Sequence, residues 1–159
     1  GDKQPVLRQL IDKYNVYGGT ILGTLPVSYE DTQKYGICEP SQQMEDGLYK
    51  LSSVVEKPKP ENAPSRSAIG GRYILSSTIF KYLENQPRGA GGEIQLTDAI
   101  KRLMAEESVY SFDVAGKRYD IGSRIGYIEA TLDFGLKRDD VRPQVIDLLK
   151  KKLKEIESK

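Results

Sequence analysis

An α/β fold is predicted for this chain, and three observations predict it. Short β-branched, apolar runs alternate with stretches whose apolar residues recur every three or four positions. Clusters of glycine and proline punctuate them. The 159 residues are 38% hydrophobic and 30% charged, which suits one soluble core of ordinary domain size.

The elements follow in order. Pro5 to Tyr14 predicts an amphipathic helix, with Val6, Leu7, Leu10, Ile11 and Tyr14 on one face and Pro5 in the first turn. Gly18-Gly19 breaks it, and Thr20 to Val27 reads as a buried strand. Tyr35-Gly36-Ile37-Cys38 is a short strand or turn. Tyr49 to Glu56 is a strand that Pro58 and Pro60 terminate, so Glu56 and Lys57 fall at a strand's end. After a polar loop, Pro60 to Arg66, comes a strand from Ala68 to Leu75 interrupted by Gly70-Gly71. Ser76 or Ser77 caps a short helix through Leu83, with Ile79, Phe80 and Leu83 inward. A glycine-rich loop, Pro87 to Gly92, leads to a helix capped by Thr97, with Ile100, Leu103 and Met104 buried. Val109 to Val114 is a strand with a turn at Gly116, and Tyr119 to Gly122 is a second short strand and turn. Ser123 caps a helix carrying Ile125, Ile128, Leu132 and Leu136. A last helix, Val141 to Ile156, carries Val145, Leu148, Leu149, Leu153 and Ile156 on one side, with Lys150-Lys151-Lys152 near its C-terminus as a solvated helix end.

Composition excludes several kinds of chemistry. With 24 basic and 23 acidic residues the formal net charge is +1, which gives no reason to expect nucleic acid or a lipid surface as partner. No histidine is present, so Ser-His-Asp and Cys-His catalysis and histidine-ligated zinc are all removed. The one cysteine, Cys38, has no internal disulfide partner, and a cytoplasmic location is expected. No apolar run approaches the roughly 20 residues of a membrane span. Gly1 reads as an expression remnant or the edge of a fragment.

Four pieces couple a strand or turn to glycine or charge: Tyr35-Gly36-Ile37, Val54-Val55-Glu56-Lys57-Pro58, Ile69-Gly70-Gly71-Arg72-Tyr73 and Tyr119-Asp120-Ile121-Gly122. In α/β sheets ligands gather at strand carboxyl ends. Taken singly, each also reads as ordinary turn chemistry, and Gly70-Gly71 as a β-bulge.

Their order and spacing, together with Gly89-Ala90-Gly91-Gly92-Glu93-Ile94-Gln95-Leu96-Thr97-Asp98-Ala99-Ile100 and Gly116-Lys117-Arg118-Tyr119-Asp120-Ile121-Gly122, resemble the bacterial UTP–glucose-1-phosphate uridylyltransferases. The resemblance runs from about Pro5 to Leu149. It implies a Rossmann-like nucleotidyltransferase, a mixed sheet flanked by helices, of which residues 1–159 are a single partial domain, the C-terminal half. Residues 137–159 are a C-terminal helical extension. It also implies an activity: glucose 1-phosphate attacks the α-phosphorus of UTP and pyrophosphate departs. Positioning and charge neutralisation carry that chemistry, with Mg2+ as cofactor.

The resemblance assigns roles residue by residue. Glu56 matches a glutamate accepting hydrogen bonds from sugar hydroxyls, and Lys57 a catalytic lysine on the phosphate of glucose 1-phosphate. Gly36 matches a glycine that the sugar approaches closely, and Ile69 a main-chain contact to it. Asp120 matches a catalytic, metal-binding aspartate, which as a lone carboxylate shares its magnesium with a second aspartate and phosphate oxygens. Glu56, Lys57 and Asp120 are expected at one pocket. Thr97 and Asp98 read as helix-start residues and not as ligands.

The family's opening strand and Gly-x-Gly-Thr-Arg loop, followed by Pro-x-x-Lys, have no match here. Asp2 lies near the place of the first metal aspartate, in surroundings that do not match, and is not assigned. The nucleotide-binding half is therefore expected to be absent, the chain inactive alone, and apolar surface and sheet edges exposed, to be covered by a homo-oligomer or a separate N-terminal piece. The alternatives are a sugar-1-phosphate nucleotidyltransferase of other base choice, such as one forming dTDP-glucose, and a non-catalytic sugar-phosphate-binding or oligomerisation fragment.

Overall fold

A computed structural model describes residues 4–158; Gly1 and Asp2, named above, lie outside the described residues. The chain divides into two compact units, meeting in sequence between Gly116 and Lys117.

Among the described residues the first unit is a five-stranded mixed sheet with three α-helices. In order they are α1 (Val6–Tyr17), β1 (Thr20–Pro26), β2 (Gly36–Glu45), β3 (Leu48–Glu56), β4 (Ser67–Ile74), α2 (Ile79–Glu84), α3 (Leu96–Leu103) and β5 (Val109–Asp113). β1 pairs antiparallel with β4 and parallel with β5. β2 and β3 form an antiparallel hairpin, β2 meets β4 at Ile37↔Ala68, and the first three residues of β3 pair with β5.

β1 is fully buried from Thr20 to Thr24, and its neighbours Ile21 and Leu22 enter different clusters, as the two-residue side-chain period of a strand requires. Leu22 joins Cys38, Leu51, Val54, Ile69, Val109 and the buried residues Ile79 of α2 and Ala99, Ile100 and Leu103 of α3. Ile21 joins Leu10 of α1, Leu48 and Tyr110. Ile100 and Leu103 are wholly inaccessible, so either truncated to alanine costs about 2–5 kcal/mol. Gln9 of α1 ties the end of the unit to the start, donating to the Ala115 carbonyl at 3.1 Å and accepting from its N–H at 2.9 Å.

The second unit holds α4 (Arg124–Lys137) and α5 (Arg142–Glu157). Ser123 caps α4 as the sequence predicts, its hydroxyl accepting from Gly126 N–H. Among the described residues no helix is long and apolar enough to cross a membrane.

Several expectations change. Gly36–Cys38 is not an isolated short piece but the start of a ten-residue strand, β2, which carries Pro40 and shifts register around it, and Tyr35 lies just before it. Tyr119–Gly122 is not a strand: residues 117–120 are irregular and a turn follows, because the Asp120 side chain bonds Gly122 N–H at 3.2 Å and closes the backbone on itself. Neither serine caps α2, whose N-cap is Thr78 without a side-chain bond, and Phe80 is 65% exposed because so short a helix presents one narrow face to the core. On α4 the buried positions are the small Gly126 and Ala130, leaving Ile125 74% and Ile128 52% exposed. Gly70-Gly71 does form a bulge: Gly23 pairs with Arg72 and Thr24 with Ile69, so two extra residues sit on β4, with Gly71 at φ 78°.

Candidate functional site

The end of β3 supplies two charged residues. Antiparallel pairing sets Glu56 opposite Gly36, the first residue of β2. One further backbone bond, Lys57 N–H to the Tyr35 carbonyl at 2.9 Å, extends the pairing past the strand. Lys57 then turns away from extended geometry with φ 43°, a left-handed conformation for a non-glycine residue. It precedes Pro58, so the ladder stops there.

Glu56 is nearly enclosed, its side chain 11% exposed, while that of Lys57 is 47% exposed. A carboxylate so placed needs partners to offset lost hydration. It has two. Lys57 Nζ stands 3.6 Å from Oε1. The Thr97 hydroxyl donates to Oε2 at 2.6 Å. Tyr73 lies close enough to respond: burial pushes its phenol up from the usual value, and the Glu56 carboxylate adds to the shift.

Thr97 corrects a sequence reading. It is not the cap of α3. That position is Gln95, and Thr97 lies within the first turn, buried, with its hydroxyl committed to Glu56. The helix begins at Leu96, earlier than a threonine cap implies. The signal that singles out this stretch in the sequence is the Glu93-to-Ile100 run, but a contact spanning 41 residues carries no local signature.

Gly36 and Ile69 belong to the same group. A Cβ placed on Gly36 would lie 2.8 Å from Thr97 Oγ1, 3.0 Å from Ile69 Cδ1 and 3.2 Å from Glu56 Oε2. Four sequence-predicted residues, Gly36, Glu56, Lys57 and Ile69, are thus brought together, with Thr97 added. The arrangement offers one fixed carboxylate acceptor and one semi-exposed ammonium donor side by side, suited to a ligand carrying hydroxyls and an anion.

Asp120 belongs to the second unit. It is exposed, and its carboxylate and carbonyl both serve the turn before α4. Oδ1 accepts from Gly122 N–H, and the carbonyl accepts from Ser123 N–H at 3.1 Å and the Ser123 hydroxyl at 3.0 Å. The segment before it is anchored on α4. Lys117 Nζ pairs with Asp133 and Glu129, each at 2.7 Å, and Tyr119 donates to Asp133 at 2.7 Å. Lys117 first, then Tyr119, holds the Asp133 carboxyl below its usual value. Among the described residues no three His, Cys, Asp or Glu side chains gather into a metal cage. Asp120 offers one exposed carboxylate, with Oδ1 already accepting from Gly122 N–H, and a single carboxylate is by itself a weak magnesium site.

Comparison with known proteins places these features in a family. A profile described as nucleotidyl transferase matches residues 3–135. The chain is 42% identical over 147 residues to UTP–glucose-1-phosphate uridylyltransferase 2 of Staphylococcus saprophyticus, covering 92% of this chain and 50% of that protein. It is 43% identical over 156 residues to UTP–glucose-1-phosphate uridylyltransferase YngB of Bacillus subtilis, covering 96% and 52%. Among solved structures, a UDP-glucose pyrophosphorylase complexed with UDP-glucose superposes with a TM-score of 0.81 at 38% identity, over 87% of this chain and 52% of that one. A UTP-bound enzyme from Acinetobacter baumannii gives 0.81 at 33% identity, over 94% and 51%. The chain spans about half the length of the curated relatives it matches.

Proposed function

We propose, since the chain belongs to the nucleotidyl transferase family, that it is the sugar-phosphate-binding C-terminal half of a UTP–glucose-1-phosphate uridylyltransferase with a Rossmann-like fold. The observation that carries the reading is the Glu56–Lys57 pair at the end of β3, with Gly36, Ile69 and Thr97 around the carboxylate.

In this reading Glu56 accepts hydrogen bonds from glucose hydroxyls. Lys57 holds the phosphate of glucose 1-phosphate, neutralising charge as a phosphate oxygen attacks the α-phosphorus of UTP. The new oxygen–phosphorus bond forms as the bond to pyrophosphate breaks, giving UDP-glucose. Lysine suits this role because its ammonium is compact and carries three donors on a flexible stem. Lys57, half exposed, is free to reorient from Glu56 toward an incoming phosphate. Ile69 lines the sugar side. Asp120 is the proposed magnesium ligand, and the ion supplies charge neutralisation at the phosphates when bound.

The grip on UTP comes from sequence that these residues do not contain, so the chain alone does not turn over UTP, and a homo-oligomer in the cytoplasm is the working form. Calorimetry of the 159-residue chain with glucose 1-phosphate tests the sugar-phosphate site. Saturable binding that Lys57→Ala removes supports it, and binding unchanged by Lys57→Ala refutes it. A pyrophosphate-release assay with UTP, glucose 1-phosphate and magnesium then tests inactivity, which robust turnover by the chain alone would disprove.

A further inference from the structure

We infer that Thr97 is a positioning residue for Glu56, and that position 36 is glycine in order to leave room for the contact between them. The inference rests on Glu56 as the sugar-binding carboxylate and adds what holds that carboxylate in place.

A glutamate at a strand's end has three side-chain rotors, and an acceptor that swings freely loses most of its value in reading hydroxyl positions. Lys57 does not fix it: its ammonium is 3.6 Å away on a half-exposed side chain. Thr97 does. The hydroxyl meets Oε2 at 2.6 Å, and Thr97 is itself only 7% exposed. Its helix is seated by Ala99, Ile100 and Leu103, all wholly inaccessible. Rigidity therefore passes from the core through α3 to one carboxylate oxygen. An ionised carboxylate has no proton, so the threonine must donate. That leaves Oε1, the oxygen nearer Lys57, as the principal acceptor for a ligand hydroxyl.

Gly36 completes the device. It is not among the residues of positive φ, so its backbone does not demand glycine. Space does. The nearest atom to an added Cβ is the Thr97 hydroxyl oxygen at 2.8 Å, below any ordinary contact; Ile69 Cδ1 follows at 3.0 Å and Glu56 Oε2 at 3.2 Å. A methyl group at position 36 would press on both ends of the hydrogen bond.

The test reads the Glu56 side-chain carboxyl 13C resonance of the 159-residue chain at fixed pH, assigned with Glu56→Gln, alongside glucose 1-phosphate binding by calorimetry. Thr97→Ser keeps the hydroxyl and should leave both readouts near wild type. Thr97→Val removes it and should displace the resonance and weaken binding roughly ten-fold, the scale of a hydrogen bond to a charged group. Gly36→Ala should displace the resonance as Thr97→Val does. A resonance unmoved by Thr97→Val and Gly36→Ala, or a Thr97→Ser variant that behaves like Thr97→Val, overturns the inference. Should Thr97→Val fail to fold, the Gly36→Ala resonance decides alone. If the wild-type chain binds no glucose 1-phosphate, the proposed function falls, and the resonance still decides whether Thr97 positions Glu56.

Discussion

Lys57 brings its ammonium to 3.6 Å from Glu56 Oε1 while its own backbone is left-handed, with φ 43°. A non-glycine residue held there costs about 1–2 kcal/mol, and strain of this kind collects at functional sites. Replacing the lysine separates the two consequences. Both Lys57→Gly and Lys57→Ala remove one partner of the nearly enclosed Glu56 carboxylate, so the strain is read from the difference between them. Lys57→Gly also relieves the backbone and should exceed Lys57→Ala in unfolding free energy by about 1 kcal/mol in denaturant. Both should lose glucose 1-phosphate binding. A Lys57→Gly variant no more stable than Lys57→Ala would show that the left-handed turn carries no strain.

Gly126 is the second position where a single methyl group decides the outcome. A Cβ there would sit 2.1 Å from the Asp120 carbonyl oxygen and 2.7 Å from Ser123 Oγ, the atoms that build the turn before α4. Gly126→Ala should therefore destabilise the second unit by about 1–3 kcal/mol, the usual range for overpacking. It should also speed amide exchange at Gly122 and Ser123. Unchanged exchange at those amides would contradict the geometry.

Much of this was legible in the sequence where one residue type has one structural use. Pro58 and Pro60 end a strand, which puts Glu56 at its last residue and Lys57 just past it, as the structure has them. Gly70-Gly71 marked the β-bulge, and Ser123 a helix cap. What was lost had no local period. Residues Glu39 to Gln43 are exposed and polar around Pro40, so β2 shows no alternation. The usable signal was Asp46-Gly47, a two-residue hairpin turn with Gly47 at φ 71°, which joins Glu45 to its partner Leu48. The sequence puts Thr97 at the start of its helix but carries no trace of its task, because its partner lies 41 residues away. The apolar spacing of α4 predicts the helix that forms, yet Ile125 and Ile128 are exposed: periodicity fixes a stripe and not what covers it.

Cys38 offers a test of the core. Burial first, and the Asp113 carboxylate second, push its thiol from 9.0 up to about 12. The folded chain should resist thiol reagents at pH 8 and react only as it unfolds, since the thiolate is the nucleophile. The folded value is raised, so this contribution to stability is fully present below pH 9.0 and is lost as pH rises toward about 12. Rapid modification of native protein at pH 8 would show that the sheet opens around Cys38.

The most direct measurement is a titration of the 15N-labelled chain with glucose 1-phosphate, followed residue by residue through amide shifts. The predicted result is saturable movement concentrated at Gly36, Glu56, Lys57, Ile69 and Thr97, with Asp120 responding when magnesium is added. Saturable shifts gathered on other strands, or no shifts at millimolar ligand, would contradict the assignment of this pocket to a phosphorylated hexose.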